Sequence, residues 1–343
     1  MLSRLEMHAL IAVLLAGAFL QGCSPSSARE SAPTAAQTSV PTRTELLAQR
    51  LAAENIVDQP GTVSSLLCSA DDAEALAGAT FATCEVLTIQ SGGLTSHAFL
   101  FSRGARQLTI FHEGHNGPDR TGLEDSLMPD ARALLMDLLQ FSDVLYLDMP
   151  LLGVNSGQRL PIKGRAVSAT THDRFALLDE PGHSALAYFL NPIDLALDQV
   201  ASRYATIKMV GRSGGGWTTT LYAALDSRIS QSISVAGTAP IAARSIDSDG
   251  RDDLGDWEQY GATIYRWLDY QDLYALAASE GRRHAQMYFE FDNCCFSGVK
   301  GLDARQTYEA SYGTGTAVTF TIVAGATDHY SMPVAELARL LRE

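Results

Sequence analysis

The segment of this 343-residue sequence that most clearly carries chemistry is Gly211-Arg212-Ser213-Gly214-Gly215. A serine between small neighbours can stand on a sharp turn that exposes its hydroxyl, and that hydroxyl becomes a nucleophile for acyl transfer when a nearby base accepts its proton. The pentapeptide alone is a weak signal, because it also arises by chance in ordinary turns. Its context strengthens it, since an apolar run at 207–210 predicts a strand before it and the pattern at 216–225 predicts a helix after it. The sequence therefore predicts Ser213 as a nucleophile.

The elements that position this serine alternate along the chain beyond residue 84. Several of the predicted strands are continuous apolar runs, which is typical of a sheet covered by helices on both faces. Eight strands are predicted, at 85–89, 97–102, 107–111, 143–147, 207–210, 231–235, 286–291 and 318–323, with helices at 130–139, 184–204, 216–225, 269–279 and 333–342. The fold class is therefore α/β. The first two strands predict an antiparallel hairpin at the edge of an otherwise parallel sheet.

The strand, the Gly-x-Ser-x-Gly turn and the helix in this order resemble the α/β-hydrolase superfamily, from about residue 84 to the end of the chain. Together with this turn, Asp292-Asn293-Cys294-Cys295-Phe296 is similar to a subgroup of bacterial esterase-like serine hydrolases. The resemblance implies an α/β-hydrolase fold, with a mostly parallel eight-stranded sheet and helices on both faces. It also implies a Ser-His-Asp triad in which the acid follows the seventh strand and the histidine follows the eighth, and it implies no cofactor.

Two histidines lie downstream of Ser213 and compete for the role of base in this order. His329 follows the last predicted strand, so it lies in a loop at a strand's carboxyl end, where it could reach the serine. His284 precedes its strand and is expected at the opposite edge of the sheet. The expected base is His329, and the alternative is that it is a surface histidine beside Asp328.

Three carboxylates compete for the role of the acid. Asp292 ends the seventh predicted strand, Glu290 lies two residues deeper on the same strand face, and Asp303 lies further along. Triad acids follow their strand, so the expected acid is Asp292. Its role would be to hold the imidazole tautomer and to stabilise the imidazolium.

An oxyanion hole needs two backbone amides, which the resemblance assigns to Gly214 and to the loop after the third strand. That loop reads His112-Glu113-Gly114-His115, and its predicted donor is the amide of His115. Glu113 departs from the superfamily's His-Gly-x turn and leaves the donor uncertain by one residue. A metal site on His112 and His115 is disfavoured, because their spacing lacks the His-Glu-x-x-His pattern, and no metal is expected.

A cap-like insertion is predicted at about 241–283, between the sixth and seventh strands. Its aromatic residues either form the insertion's own core, which we favour, or line a substrate pocket. They are Trp257, Tyr260, Tyr265, Trp267, Tyr270 and Tyr274. Its acidic residues predict a solvated loop rather than a calcium site, because their spacing does not match an EF-hand. They are Asp247, Asp249, Asp252, Asp253 and Asp256.

The N-terminus predicts export. An apolar run of about a dozen residues follows Arg4 and His8 and is too short for a membrane-spanning helix, which needs roughly 20 residues. The following Leu-Gln-Gly-Cys resembles the lipobox of bacterial lipoproteins, with residues 1–22 as signal peptide and Cys23 as the lipidated residue. A cleaved secretory signal and an uncleaved anchor are the alternatives. Ser24 implies sorting to the outer membrane, facing the periplasm, and the composition of 23–43 predicts a flexible tether before one domain at 44–343.

The remaining cysteines are Cys68, Cys84, Cys294 and Cys295, an even number in an oxidising compartment. Disulfides are therefore expected, in any of three pairings. One pairing joins Cys68 to Cys84 and Cys294 to Cys295, and the other two are crossed pairings.

The composition excludes some classes of protein and of partner. Of the residues, 46% are hydrophobic, enough for a large core, so a disordered chain is excluded. A net charge of −14 and the lack of a basic run make nucleic acid an unlikely partner. The expectation is a lipid-anchored serine hydrolase of the cell envelope that cleaves small-molecule or carbohydrate esters. A peptidase or amidase with the same triad, and a non-catalytic binding module with this fold, are the alternatives.

Overall fold

The computed structural model describes residues 41–117, 120, 122–169, 171–180, 182–244, 255–329 and 331–343. From Pro41 to Glu343 the chain forms one compact unit. The predicted signal peptide, Cys23 and residues 23–40 of the tether lie outside the described residues, as do Asp247, Asp249, Asp252 and Asp253. Among the helices that the structure describes, none has the length and apolar character needed to cross a bilayer.

Eleven strands occur within these described ranges. They are β1 (Gly61–Leu67), β2 (Thr83–Ser91), β3 (Leu94–Ser102), β4 (Gln107–His112), β5 (Asp143–Leu147), β6 (Leu160–Ile162), β7 (Arg165–Val167), β8 (Thr206–Arg212), β9 (Ile229–Val235), β10 (Arg283–Phe289) and β11 (Val318–Val323). β6 and β7 form a separate antiparallel pair, and the other nine form one sheet.

The helices lie between and around these strands. They are α1 (Arg43–Ala53), α2 (Ala70–Glu74), α3 (Gly122–Ser126), α4 (Pro129–Leu138), α5 (Ala187–Val200), α6 (Gly214–Leu225), α7 (Trp257–Tyr260), α8 (Tyr270–Ala277), α9 (Gly298–Tyr312) and α10 (Val334–Arg342). α1 begins where the tether is predicted to end, because Thr42 and Glu45 form a capping box that satisfies the first amides of the helix. Short 3₁₀ turns include His172–Leu178.

The sheet order is β1-β2-β3-β5-β4-β8-β9-β10-β11. The prediction of eight strands was wrong by one, because β1 adds a ninth at the edge and pairs antiparallel with β2. The predicted hairpin of β2 and β3 is confirmed. From β5 to β11 in this order, neighbouring strands run parallel, so the sheet is mostly parallel as predicted.

Helices cover both faces of the sheet. Along β5, Val144 and Tyr146 belong to one hydrophobic cluster, whereas Leu145 and Leu147 belong to the other, because side chains alternate along a strand. The cluster that contains Val144 and Tyr146 also contains residues of α4 and α10. The cluster that contains Leu145 and Leu147 also contains residues of α5, α6 and α8. Burial on both faces explains why these strands read as continuous apolar runs.

The parallel strands bring distant loops to one edge of the sheet. Ser213 follows β8 and the loop 113–117 follows β4, which is the neighbour of β8. The loops after β10 and β11 carry Asp292 and His329. Because the carboxyl ends of parallel strands meet at the same edge, all four segments converge there.

The insertion between β9 and β10 contains α7 and α8 within its described part. Most of its aromatic rings are core: Trp257, Tyr270 and Tyr274 are buried, and the hydroxyl of Tyr265 accepts a hydrogen bond from Trp217 Nε1 at 2.8 Å. Tyr260 is exposed. These rings are therefore largely core residues rather than pocket lining, as we favoured, but they pack into the core that the insertion shares with α6 and the sheet and not into a separate core of the insertion.

Disulfides join Cys68 to Cys84 and Cys294 to Cys295. These are the local pairings among the three that the sequence allows. The first ties the segment after β1 to β2, and the second lies in the loop after β10.

Candidate active site

Ser213 stands on a strained turn between β8 and α6. Its φ of 54° and ψ of −124° are unusual for a residue with a side chain, and its amide donates to the carbonyl of Val235 at 2.8 Å. The flanking glycines are required by close packing. A Cβ on Gly211 would lie 2.1 Å from the carbonyl oxygen of Gly215, and one on Gly215 would lie 2.1 Å from that of His112. The turn therefore explains the predicted Gly-x-Ser-x-Gly spacing.

A chain of hydrogen bonds links Ser213, His329 and Asp292. Nε2 of His329 lies 2.9 Å from Oγ of Ser213, and Nδ1 of His329 lies 2.8 Å from Oδ2 of Asp292. The side chains of His329 and Asp292 are 2% and 0% exposed. The structure thus brings the three predicted residues together in the order that proton transfer from serine to histidine requires.

The carboxylate of Asp292 is held at both oxygens. Oδ1 accepts hydrogen bonds from the amides of Cys294 at 2.7 Å and Cys295 at 3.2 Å, so the disulfide-bonded pair cradles it. Burial alone would raise the pKa of Asp292, but His329 and these two amides lower it below its usual value. Asp292 is therefore ionised at neutral pH and could balance a positive charge on His329.

The competing residues lie elsewhere. The predicted seventh strand was too long: β10 ends at Phe289, so Asp292 lies in the following loop and Glu290 is not on the strand face. Glu290 Oε2 instead accepts a hydrogen bond from the amide of Gly325 at 2.7 Å. Asp303 is exposed on α9. His284 lies at the start of β10, where its Nδ1 is 2.7 Å from Ser232 Oγ and burial lowers its pKa to about 3.

Glu113, the departure from the expected turn, forms a buried ion pair with Arg212. Both side chains are 1% exposed. Nε of Arg212 donates to Oε1 at 3.0 Å, and Nη2 donates to both oxygens at 2.8 Å. Because Arg212 precedes Ser213, this pair fastens the loop after β4 to the nucleophile turn. No local pattern in the sequence indicates this link, since the two residues are 99 positions apart.

Glu113 of this ion pair also accepts a hydrogen bond from one of the backbone amides near Ser213. The amide of Gly114 donates to Oε1 of Glu113 at 2.9 Å, whereas the amide of His115 has no acceptor among the described residues. Gly214 begins α6, and the first amides of a helix lack partners within it. A Cβ on Gly114 would lie 2.8 Å from Cβ of Ser213, so the loop runs directly against the nucleophile turn. The amides of His115 and Gly214 are therefore candidates for hydrogen-bond donors beside Ser213.

Asp148, at the end of β5, supports the same loop. It accepts hydrogen bonds from Nδ2 of Asn116 at 2.8 Å, from the hydroxyl of Tyr146 at 2.8 Å and from the amide of Val154 at 2.9 Å. Its burial raises its pKa to about 7 despite these donors. A cleft of about 300 Å³ opens beside Ser213 and is lined by the loop together with Arg120 and Met128.

The two histidines of the loop have different surroundings. His112 is buried with Nδ1 2.9 Å from the carbonyl oxygen of Glu113, and its burial lowers its pKa to about 4. His115 instead faces His172, Asp256 and Glu258. Burial alone would lower the pKa of His115, but hydrogen bonds to the two carboxylates raise it to about 10. No local pattern in the sequence indicates this cluster, because its members come from three separate segments.

Comparison with known proteins defines the fold. No family model matches the sequence, and no curated protein matches it. The structure is similar to the acetyl xylan esterase from Paenibacillus sp. R4, with a TM-score of 0.58 and 16% identity over 87% of this chain and 93% of that one. It is similar to acetyl xylan esterase 1 from Thermoanaerobacterium sp. JW/SL YS485, with a TM-score of 0.56 and 16% identity over 88% and 93%.

A third similar structure is the glucuronoyl esterase from Solibacter usitatus, with a TM-score of 0.52 and 13% identity over 86% of this chain and 91% of that one. Likenesses at such low identity establish the fold alone. The chain has the α/β-hydrolase fold, as the sequence predicted.

Proposed function

We propose that the protein is a serine hydrolase that cleaves carboxylic esters through an acyl-enzyme. The observation that carries this proposal is the continuous hydrogen-bonded chain from Asp292 through His329 to Ser213. Ser213 is the nucleophile, His329 is the general base and acid, and Asp292 orients the imidazole. The amides of Gly214 and His115 form the oxyanion hole.

The reaction follows from this arrangement. Oγ of Ser213 attacks the ester carbonyl while Nε2 of His329 takes its proton, and the two amides stabilise the negative charge that develops on the carbonyl oxygen. The imidazolium then gives the proton to the departing alkoxide, which leaves as an alcohol. A water molecule repeats the attack on the acyl-enzyme with His329 as base, which releases the acid and restores the serine hydroxyl.

One observation favours an ester with a short acyl group, and a second favours an ester of a carbohydrate. The cleft beside Ser213, at about 300 Å³, is at the low end for small-molecule sites. The similar structures named above are acetyl xylan and glucuronoyl esterases, which makes a carbohydrate ester the first substrate class to test. The substrate is thus proposed to be a small acyl ester of a carbohydrate or of another small molecule.

The experiment pairs esters with amides. Hydrolysis of 4-nitrophenyl esters of increasing acyl length, of an acetylated xylo-oligosaccharide and of the matching 4-nitroanilides is measured for wild type, Ser213→Ala and the control Ser64→Ala, whose serine is exposed on β1. We expect the acetyl ester to react fastest, the anilides to react far more slowly and only Ser213→Ala to lose activity. Faster cleavage of the anilides would identify an amidase, and ester hydrolysis equal in all three proteins would refute the proposal.

We also propose that the chain is exported and anchored by lipid on Cys23, with the enzyme in the cell envelope. The apolar run followed by Leu20-Gln21-Gly22-Cys23 supports this proposal. An esterase held at the envelope by a tether would act on substrates outside the cytoplasm. The test of the anchor is independent of the test of catalysis.

A further inference from the structure

Four side chains from three segments meet beside the nucleophile turn. His115 lies in the loop after β4, His172 begins a 3₁₀ turn, and Asp256 and Glu258 lie at the start of α7. One nitrogen of each imidazole and one oxygen of each carboxylate lie within 4.8 Å of one another. We call these four residues the His115 cluster.

The spacing of these atoms matches a tetrahedral metal site. Nε2 of His115 lies 3.2 Å from Nδ1 of His172 and 3.5 Å from both Oδ2 of Asp256 and Oε1 of Glu258. Nδ1 of His172 lies 3.4 Å from the same Glu258 oxygen. Ligands held about 2.0 to 2.1 Å from a central Zn²⁺ are separated by about 3.3 to 3.4 Å in a regular tetrahedron. Four of the six separations are therefore close to the ideal edge.

The tautomer of His172 presents a lone pair to the cluster. Its Nε2 lies 2.9 Å from the carbonyl oxygen of Pro150, which can only accept a hydrogen bond. Nε2 therefore carries the proton, and in the neutral ring Nδ1 faces the other three residues without one. A backbone carbonyl that fixes the distal nitrogen in this way is typical of metal-binding histidines.

The burial of Glu258 provides an independent indication. Its side chain is fully buried, and Oε2 has no hydrogen-bond partner within the described part of the chain. The atoms that surround Nε2 of His115 are three acceptors, and one N–H can serve only one of them well. A divalent cation at the centre would contact all four donor atoms and would neutralise both carboxylates.

We propose that His115, His172, Asp256 and Glu258 bind one divalent transition-metal ion, and that Zn²⁺ fits them best. Imidazole and carboxylate ligands at tetrahedral spacing are those that Zn²⁺ takes in proteins. Four protein ligands fill its coordination shell, so the ion is structural and offers no position to a substrate. It ties the loop after β4 to the 3₁₀ turn and to α7.

The site has a consequence for the proposed oxyanion hole. A Cβ on Gly214 would lie 2.7 Å from Nδ1 of His115, so this imidazole packs against the residue that follows the nucleophile. A metal on its Nε2 would fix the ring, and with it the backbone amide of His115. The consequence rests on the proposed hydrolase function, whereas the metal site itself rests only on the four side chains.

The first test measures metal binding by the whole protein. Metal is removed with a strong chelator, one equivalent of Zn²⁺, Co²⁺ or Ca²⁺ is returned, and the bound metal is counted by mass spectrometry after gel filtration. We expect about one equivalent of Zn²⁺ or Co²⁺, the intense visible absorption of tetrahedral Co²⁺, and a melting temperature several degrees above that of the metal-free protein. All three readouts can be taken on Ser213→Ala, so they do not depend on catalysis.

The second test assigns the ligands. Glu258→Gln and His172→Gln should each weaken Zn²⁺ binding by at least about 100-fold and remove its effect on the melting temperature. Glu180→Gln and His183→Gln are matched controls, because Glu180 and His183 lie outside the cluster, shortly after the 3₁₀ turn that His172 begins. Both control variants should bind Zn²⁺ as wild type does. Should a ligand variant fail to fold, the Co²⁺ spectrum of the wild type decides the geometry.

Clear results would overturn the proposal. A folded wild-type protein that retains no metal, and whose melting temperature is the same with chelator and with Zn²⁺, would show that the cluster is an ion pair of protonated His115 with the carboxylates. Equal Zn²⁺ binding by Glu258→Gln, His172→Gln and wild type would move the ion elsewhere. Preference for Ca²⁺, or an octahedral Co²⁺ spectrum, would contradict the tetrahedral site.

Discussion

The buried ion pair of Glu113 and Arg212 predicts that one substitution damages stability and activity together. In Glu113→Ala, the guanidinium of Arg212, whose side chain is 1% exposed, loses the carboxylate that faces it and three hydrogen bonds to that carboxylate. Removing one partner of a buried pair costs about 3 to 5 kcal/mol. With an unfolding entropy of roughly 2 cal/mol/K per residue over about 300 residues, the melting temperature should fall by about 5 to 8 °C.

Activity should fall for a separate reason. Glu113 also accepts the amide hydrogen bond of Gly114, so its loss frees the loop that carries the His115 amide. Displacing one oxyanion donor lowers kcat by roughly 100-fold or more. Glu113→Gln keeps an oxygen for Gly114 and should lose less activity than Glu113→Ala.

The assay combines thermal unfolding with ester hydrolysis at saturating substrate. Glu309→Ala is the control, because it breaks an ion pair with Arg305 in which the side chains are 31% and 56% exposed rather than buried, and it should change neither quantity measurably. If Glu113→Ala kept the melting temperature and kcat of the control, the ion pair would not hold the loop against the nucleophile turn.

Three further predictions concern the acid beside His329, the buried Asp148 and the proposed lipid anchor. Asp292→Asn should lower kcat by something like 10⁴ through the wrong tautomer of His329, whereas Glu290→Gln should cost far less, and the reverse order would make Glu290 the acid. The pKa of Asp148 is raised to about 7 in the folded state, against about 3.9 in the unfolded state. Between about pH 4 and 7, the folded state therefore keeps a proton on Asp148 that the unfolded state has released. Relative to Asp148→Asn, wild type should therefore lose roughly 1 kcal/mol of unfolding free energy per pH unit from about pH 4 to 7 and none above, and a flat difference across that range would refute the raised pKa. Cys23→Ser should move the protein from the membrane fraction to the soluble one, and mass spectrometry showing an unmodified terminus at another site in wild type would refute the lipid anchor.

Much of the fold could be predicted because several buried strands contain continuous apolar runs, such as residues 144–147 of β5. All five residues of β5 are buried, for example, and they stand out in the sequence. β1 was missed because it lies at the edge of the sheet, where every residue except Val63 is exposed, and its pairing with β2 decides its conformation. α9 was missed because three of its four buried residues, Gly298, Gly301 and Ala304, are small and give no strong apolar pattern. Gly301 packs against the ring of Tyr288, where a Cβ would lie 2.7 Å away.

In the candidate site, too, some residues could be predicted from the sequence and others could not. Ser213 and His329 could be located because each follows an apolar strand in a short, recognisable loop. The boundary of β10 was misjudged by two residues, because the apolar Phe291 continues the strand pattern although it lies 58% exposed beyond the strand. The partners of Arg212 and His115 could not be predicted. They are joined by tertiary contacts over 57 to 143 residues, and no local spacing indicates such contacts.

The central claim is that Ser213 is an activated nucleophile, and covalent labelling with a fluorophosphonate tests it most directly. Wild type should gain the mass of one phosphonyl group, and peptide mapping should locate that group on Ser213. Ser213→Ala should remain unlabelled while melting close to the wild-type temperature, and its kcat should fall by roughly 10⁶. A folded wild-type protein that does not react, or a label on another residue that persists in Ser213→Ala, would contradict the account.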